Sequence, residues 1–435
     1  MKKKGLPDLV ISETPTESSV ALLTGGDDRS YALGLATALI SRGMTLEVIG
    51  SDNVDCPEFH QNRGLTFLNL RGDQRPDASL LKKVPRILLF YAKLVWYARG
   101  SKAKIFHILW NNKFQFLDRT LLTFYYKLLG KKIVLTAHNV NACRRDGNDT
   151  RLNRLTLRIQ YQLADHIFVH TEKMKRELVN DFAVEENRIT VIPLGINNAF
   201  PNTDLTADEA RQRLNIGSKE KTILFFGRIA PYKGLEYLVS AFQRLSTRLG
   251  DYRLIIAGKR ERGCEAYWAS VQEATRGAAD RGQLLVRADF IPDAETELYF
   301  KAADVLVLPY RHIYQSGVLF LGYSFGLPAL VADVGSLKDE IVEGETGFVF
   351  RPEDPIDLAK TIERYFSSDL YAGLSRRRQQ IRDYATKRYS WGTVGEMTAK
   401  VYAGLLRISS PEIGSQSNQA APRCEESVMK PAEDV

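Results

Sequence analysis

The sequence predicts an α/β protein built from two doubly wound parallel sheets in tandem. Three observations carry that prediction. Short apolar runs alternate with helix-length amphipathic segments along most of the chain. The alternation pauses at a polar, proline-containing stretch, Ile196–Asp208 (INNAFPNTDLTAD), and then restarts. At 435 residues the chain is also too long for one ordinary core, so two domains and a tail are expected.

Taken in order, a polar leader precedes SVALLTGG (Ser19–Gly26), a strand that closes on a diglycine turn. A helix over Ser30–Arg42 and a strand in MTLEVIGS follow, and then strands in LTFLNL, KIFHILW, KIVLTAHN, HIFVHT and ITVIPLG. The second series is ILFFGR, YRLIIAGK, LLVRADFI, VLVLPY, ALVADV and GFVF. Helices are expected at Asp357–Phe366 and Arg376–Thr386, with a final one, Ser390–Ile408, crossing back to the first domain. The domains are therefore read as residues 1–198 plus 391–409 and residues 199–390. Residues 410–435, rich in Ser, Gln, Pro and Glu, are predicted to be a disordered tail. Two such domains set two carboxyl sheet edges facing each other across a cleft, where a ligand would touch both.

Composition narrows the partners. An apolar content of 44% with 26% charged residues is ordinary for a soluble globular chain. The formal charge of +8 points to an anionic partner. The cations are spread out rather than clustered, which argues against nucleic acid. Cys56, Cys143, Cys264 and Cys424 lie far apart with no CxxC pair, so neither a disulfide framework nor a metal site follows. MKKKG is followed by polar residues rather than the apolar core of a signal peptide, and no apolar run is long enough to span a bilayer. The expected location is the cytoplasm, with a peripheral membrane position open. Leu80–Lys104, LLKKVPRILLFYAKLVWYARGSKAK, fits two roles: an interfacial helix on an anionic membrane, or a core helix with cations snorkelling at its edge.

The chemistry concentrates in two stretches. In Thr222–Phe242, TILFFGRIAPYKGLEYLVSAF, a buried strand feeds a polar loop and then an amphipathic helix. The loop carries Arg228 and Lys233 with Gly227 and Gly234 beside them. Arginine offers a planar fork to phosphate oxygens, lysine a compact charge, and glycine lets the backbone come close. The loop reads as a phosphate site. In Pro309–Phe350, QSGV follows the strand VLVLPY and precedes a short apolar helix, Leu319–Phe325. There the backbone N–H groups of Ser316, Gly317 and Val318 can receive an anion, helped by the helix dipole.

Together, Gly227-Arg228-x4-Lys233-Gly234, TAHN, VIPLGIN and QSGV…FGLPALVADVGSLKDEIVEGETGFVF resemble glycosyltransferase family 4. The resemblance covers nearly the whole folded part and is stronger in the second domain. It implies the GT-B fold, two Rossmann-like domains facing across a cleft, and retaining transfer of a sugar from a nucleotide-diphosphate donor to a hydroxyl acceptor. By that resemblance Arg228 and Lys233 match the pair that binds the donor diphosphate, and Ser316, Gly317 and Val318 the loop whose amides touch it. Gly25 and Gly26 match the diglycine turn that approaches the donor, and His138 the histidine that meets the donor sugar. Phe290 and Ile291 fall where the family cradles the nucleotide base. No metal cofactor is expected: leaving-group charge can be met by two cations and a helix N-terminus, and DFIPD and GDD lack metal-ligand spacing. The expected partners are a nucleotide sugar and a lipid-linked or saccharide acceptor, as in polysaccharide or glycolipid assembly.

One departure stands out. The family's Glu-x7-Glu positions fall on Ile313 and Leu321, neither of them acidic, leaving Gln315 or His312 as substitutes for the sugar contact. A catalytically silent sugar-nucleotide-binding subunit is therefore the alternative reading, with an epimerase or phosphorylase behind it. His107, His166 and His170 read as core or edge histidines, and Glu340 and Glu343 as solvated charges.

Overall fold

The computed structural model describes residues 19–26, 28–73, 80–145, 147–196, 201–246 and 251–407. The polar leader, residues 197–200 of the linker and the 410–435 tail lie outside those residues.

Every strand expected from the sequence is present. The first sheet holds β1 (Val20–Leu23), β2 (Leu46–Gly50), β3 (Leu65–Asn69), β4 (Ile105–Ile108), β5 (Lys132–Thr136), β6 (His166–Val169) and β7 (Ile189–Val191). The second holds β8 (Lys221–Phe226), β9 (Tyr252–Ala257), β10 (Leu284–Arg287), β11 (Val305–Leu308), β12 (Ala329–Ala332) and β13 (Gly347–Phe350). Their orders are β3-β2-β1-β4-β5-β6-β7 and β10-β9-β8-β11-β12-β13. All pairings are parallel.

The strands VALL, IFHI, HIFV, VLVL and ALVA are buried at every residue. Helices cover both faces of a doubly wound sheet, which is why these runs are buried throughout and largely apolar instead of alternating. At the edge, β10 (LLVR) is partly exposed. Each strand order reverses once, between β1 and β4 in the first sheet and between β8 and β11 in the second. Open α/β sheets bind ligands beyond the carboxyl ends of the strands at such reversals. The topology therefore selects four loops: those after β1, β4, β8 and β11.

The last helix, Trp391–Arg407, packs along Arg29–Ile40 of the first half. Trp391 meets Tyr31 edge to face at 5.1 Å, and Tyr402 Oη lies 2.6 Å from His107 Nδ1. The Ile196 N–H donates to the Tyr389 carbonyl at 2.8 Å, so the two chain crossings between the halves run side by side.

Several helix starts shift by one or two residues from expectation, and two of the shifts are informative. Asp354 accepts from the amides of Ile356 and Asp357, so the helix begins at Pro355. The helix after β11 begins at Gly317, making the small residues of QSGV its first turn instead of a preceding loop. The segment Leu80–Gly100 is one helix with a buried side and an exposed side. Phe90, Tyr91, Leu94 and Ala98 enter the core, while Val84, Leu88, Leu89 and Trp96 remain exposed, Trp96 by 79%.

Candidate active site at the two sheet reversals

The loop after β8 turns on Gly234, whose φ of +62° closes the single turn Pro231–Lys233. A Cβ there would lie 1.9 Å from the Pro309 carbonyl oxygen, so only glycine lets this loop pack on the one after β11. The close packing sets the next residues. Lys233 is buried, and its Nζ sits 3.7 Å from the centre of the Tyr310 ring, a cation–π contact in a water-poor site. The Tyr310 hydroxyl in turn lies 3.3 Å from Ser316 Oγ. Tyr310 thus joins the lysine of one predicted phosphate loop to the helix start of the other.

Ser316 is the N-cap of Gly317–Ser324, yet its side chain makes no cap hydrogen bond, since it is turned toward Tyr310. The leading amides of Gly317 and Val318 are therefore left for a ligand rather than for the cap. Val318 reaches back to the loop after β8: a Cβ on Gly227 would stand 3.2 Å from Val318 Cγ2.

Arg228 projects outward, its side chain 62% exposed, and pairs with Glu261 at 3.1 Å. It lines a cleft of about 720 Å³ together with Gly227, Phe290, Ile291 and the cations Lys259, Arg260 and Arg262. That volume is within the range of small-molecule sites. Ile291 is buried in its wall, whereas Phe290 is exposed at its rim. Lys233, Gln315 and Ser316 are not part of that lining.

Glu340 requires a correction. Expected as a solvated charge, it is buried, and it accepts from the Tyr389 hydroxyl and from Gln315 Nε2, the latter at 3.4 Å. Burial pushes its carboxyl above the usual range. It lies on the turn Lys338–Glu340, where Leu337 is drawn into the core and carries the glutamate inward. Gln315 Oε1, the other end of that amide, is buried without a partner in the protein. Glu343 is exposed and pairs with Arg364 at 3.3 Å, as expected of a surface charge.

At the first reversal Gly25 and Gly26 both take positive φ, +62° and +85°. His138, just past β5, stacks on Trp110 with ring centres 4.1 Å apart and meets Tyr31 edge to face at 4.6 Å. Its Nδ1 lies 3.0 Å from His170 Nε2, and its Nε2 is buried without a protein partner. Burial, reinforced by His170 and His107, holds its pKa well below that of a free imidazole, so the ring is neutral. His170 is buried as expected, but it does more than fill space: it fixes the orientation of His138. The Ile192 carbonyl lies 3.2 Å from His170 Nδ1, which settles how that ring sits in turn. His107 and His166 are buried, bonded to Thr136 at 2.7 Å and Thr190 at 2.9 Å respectively, as structural histidines. The two halves touch at this level through Arg29 and Asp293 (2.8 Å) and through Tyr314 and Glu177 (2.9 Å).

Residues 29–200 match the family model described as Glycosyltransferase Family 4, and residues 206–388 the one described as Glycosyl transferases group 1. The chain belongs to glycosyltransferase family 4. This family 4 member is similar to the D-inositol 3-phosphate glycosyltransferase of Corynebacterium diphtheriae, with 28% identity over 294 residues. That match covers 64% of this chain and 66% of the relative, so it spans about two thirds of the relative's length. Among solved structures, sucrose-phosphate synthase from Thermosynechococcus elongatus superposes with a TM-score of 0.70 at 18% identity, covering 90% of this chain and 99% of that one. Anabaena HepE in complex with UDP and glucose gives 0.68 at 15% identity, covering 89% and 100%. At such identities the likeness is one of fold, and the fold is GT-B.

Proposed function

We propose that this glycosyltransferase moves a sugar, with retention, from a nucleotide-diphosphate donor to a hydroxyl of a lipid-linked or saccharide acceptor. The observation that carries the reading is the joint packing of Lys233, Tyr310 and the Gly317 helix start at the second reversal. Departure of a nucleoside diphosphate concentrates negative charge on the leaving group, and donors fixed in place before reaction stabilise it most. In this reading Lys233 and the amides of Gly317 and Val318 meet the diphosphate, and Arg228 reaches it from the neighbouring cleft. Gly227 lets the backbone approach, and the Phe290–Ile291 wall takes the base. Gly25 and Gly26 approach from the first half, and neutral His138 offers Nε2 to the sugar. Gln315, held by Glu340, takes the sugar contact that the acidic motif makes elsewhere in the family. Protein cations rather than a bound metal carry the charge.

A membrane-proximal acceptor is supported by the exposed apolar residues Leu88, Leu89 and Trp96 on Leu80–Gly100, and Leu121, Phe124 and Leu128 on the helical segment after β4. Lys83, Lys93 and Arg99 lie among them, the composition of a face that rests on anionic lipid. Among the described residues no helix is long and apolar enough to cross a membrane.

The test is a thermal-shift panel of UDP, GDP and ADP and their sugars. A ligand that binds only the folded state raises the melting temperature by mass action. The expected result is a shift with one base that disappears in Arg228→Ala and Lys233→Ala. A flat panel overturns the donor site, and binding without transfer to any acceptor favours the silent-subunit reading.

A further inference from the structure

We infer that the crevice beside the diglycine turn seats a hydroxyl of an acceptor with a polyol head and an apolar tail, and that Asp118 receives it. The inference rests on the glycosyltransferase reading above and specifies its acceptor side.

The crevice opens at the first sheet reversal, between Gly25–Gly26 after β1 and Asn111–Asn112 after β4. Its free space is about 20 Å³, room for roughly one water-sized group. Asp118 stands in its lining with only 3% exposure. One carboxylate oxygen, Oδ1, is satisfied: it accepts from the Tyr91 hydroxyl at 3.0 Å and from Asn112 Nδ2 at 3.2 Å. The other, Oδ2, is buried without a hydrogen-bond partner in the protein. Buried polar atoms are nearly always paired, so an orphaned carboxylate oxygen facing a hydroxyl-sized space marks a place where a donor arrives from outside.

The local backbone fits a built site. Asp118 opens a π-turn, Asp118–Leu122, set into an otherwise α-helical segment. Such single turns are frequent at functional sites. Thr123 Oγ1 holds the turn by donating to the Asp118 carbonyl at 2.6 Å.

The walls identify the rest of the ligand. Leu94 comes from Leu80–Gly100, and Leu122 from the π-turn. The same two segments expose Leu88, Leu89 and Trp96, and Leu121, on their outward sides. Crevice and outer apolar surface are therefore carried by the same two segments, so a molecule whose hydroxylated head enters the crevice can lay an apolar tail along them. Arg71, after β3, lines the crevice and donates to the Gly25 carbonyl, so the charge beside Asp118 is anchored to the diglycine turn.

The experiment titrates n-octyl β-glucoside, kept below its micellar concentration, into the full chain and follows binding by saturation-transfer NMR. The wild type is expected to bind, and Asp118→Asn, which keeps the side-chain shape, to bind at least tenfold more weakly. Leu94→Phe, which narrows the crevice from its apolar side, is expected to weaken binding as well. Nucleotide diphosphate shifts are expected to be unchanged in both variants, which shows that the fold and the donor side are intact. Wild-type binding is also expected to strengthen as pH rises through about 6, where the Asp118 carboxyl, pushed up by burial, ionises; Asp118→Asn lacks that limb. The charged and titratable groups around that carboxyl are Arg71, Tyr91, Tyr126 and Arg119. Of these, Tyr91 and Tyr126 are pushed upward and stay neutral across that range. Equal affinity in wild type and Asp118→Asn overturns the inference, and so does a wild type that binds no octyl glucoside. A wild type that gives no nucleotide shift strikes the donor reading alone.

Discussion

At the reversal of the second sheet the protein gathers positive charge: Lys233 under the Tyr310 ring, Arg228 at the mouth, and the start of the Gly317 helix between them. At the reversal of the first sheet it gathers neutral rings: His138 between Trp110 and Tyr31, held by His170. The two edges share one topology and differ in electrostatics. A transfer that separates a diphosphate from a sugar needs that division, because negative charge grows on one fragment and positive character on the other. A cationic imidazole on the sugar side would oppose the reaction, and burial among aromatic rings prevents it from charging. The comparison can be broken from either side.

The largest effect is expected from Lys233→Ala. Loss of one pre-positioned donor of this kind costs about 3–4 kcal/mol of transition-state stabilisation, or roughly 10²- to 10³-fold in turnover. The melting temperature without ligand is expected to change little, because the lost cation–π contact is offset by no longer burying a charge. Steady-state kinetics with the donor found by the thermal-shift panel provide the check. Near-normal turnover in this variant removes the charged side of the comparison.

The next effect lies on the neutral side and is read by pH. His170 is held at about 4 and His107 at about 3, both by burial, against 6.5 for an unperturbed imidazole. Between those values the unfolded chain binds protons that the folded one excludes. Stability therefore rises with pH in this window and is lost as pH falls from about 6.5 toward 4. For His170 alone the lost stability is roughly 3 kcal/mol, at 1.36 kcal/mol per pH unit. Chemical denaturation at pH 7 and pH 5 is the measurement. His170→Asn is expected to make the dependence shallower, since His107 and His166 remain depressed, and an unchanged slope shows that His170 is not among the groups that titrate.

The same contrast explains what was legible in the sequence. The charged site was, because its parts are close together: Arg228, Lys233 and the flanking glycines lie within one strand–loop–helix unit, and QSGV within another. All strands were legible too, since buried parallel strands appear as continuous apolar runs. The neutral site was visible only as the resemblance of TAHN to a family motif. Tyr31, Trp110, His170 and Trp391 come from widely separated stretches, and nothing local marks them as one cluster. Asp118 sits in a helical run where its spacing fits any surface acid. Glu340 was misjudged for a related reason: Lys338 and Asp339, beside it, are exposed, and only the inward pull of Leu337 distinguishes the third.

Glu340 also gives the smallest and sharpest test, because it is a negative charge hidden within the positive edge. Its carboxylate accepts from Tyr389 and Gln315, so in Glu340→Gln the size is kept and only charge and donor pattern change. The new amide can still accept from the Tyr389 hydroxyl, and its N–H groups then face Gln315. Gln315 can answer by rotating about its last bond, presenting the oxygen that now lacks a partner. The folded state is therefore expected to lose no more than about 1 kcal/mol, the net worth of one hydrogen bond. The rotation reverses the end of Gln315 offered to the donor sugar, so KM for the donor is expected to rise severalfold with kcat less affected. A lower melting temperature with unaltered KM makes Glu340 a structural residue and leaves Gln315 without a demonstrated part in holding the sugar.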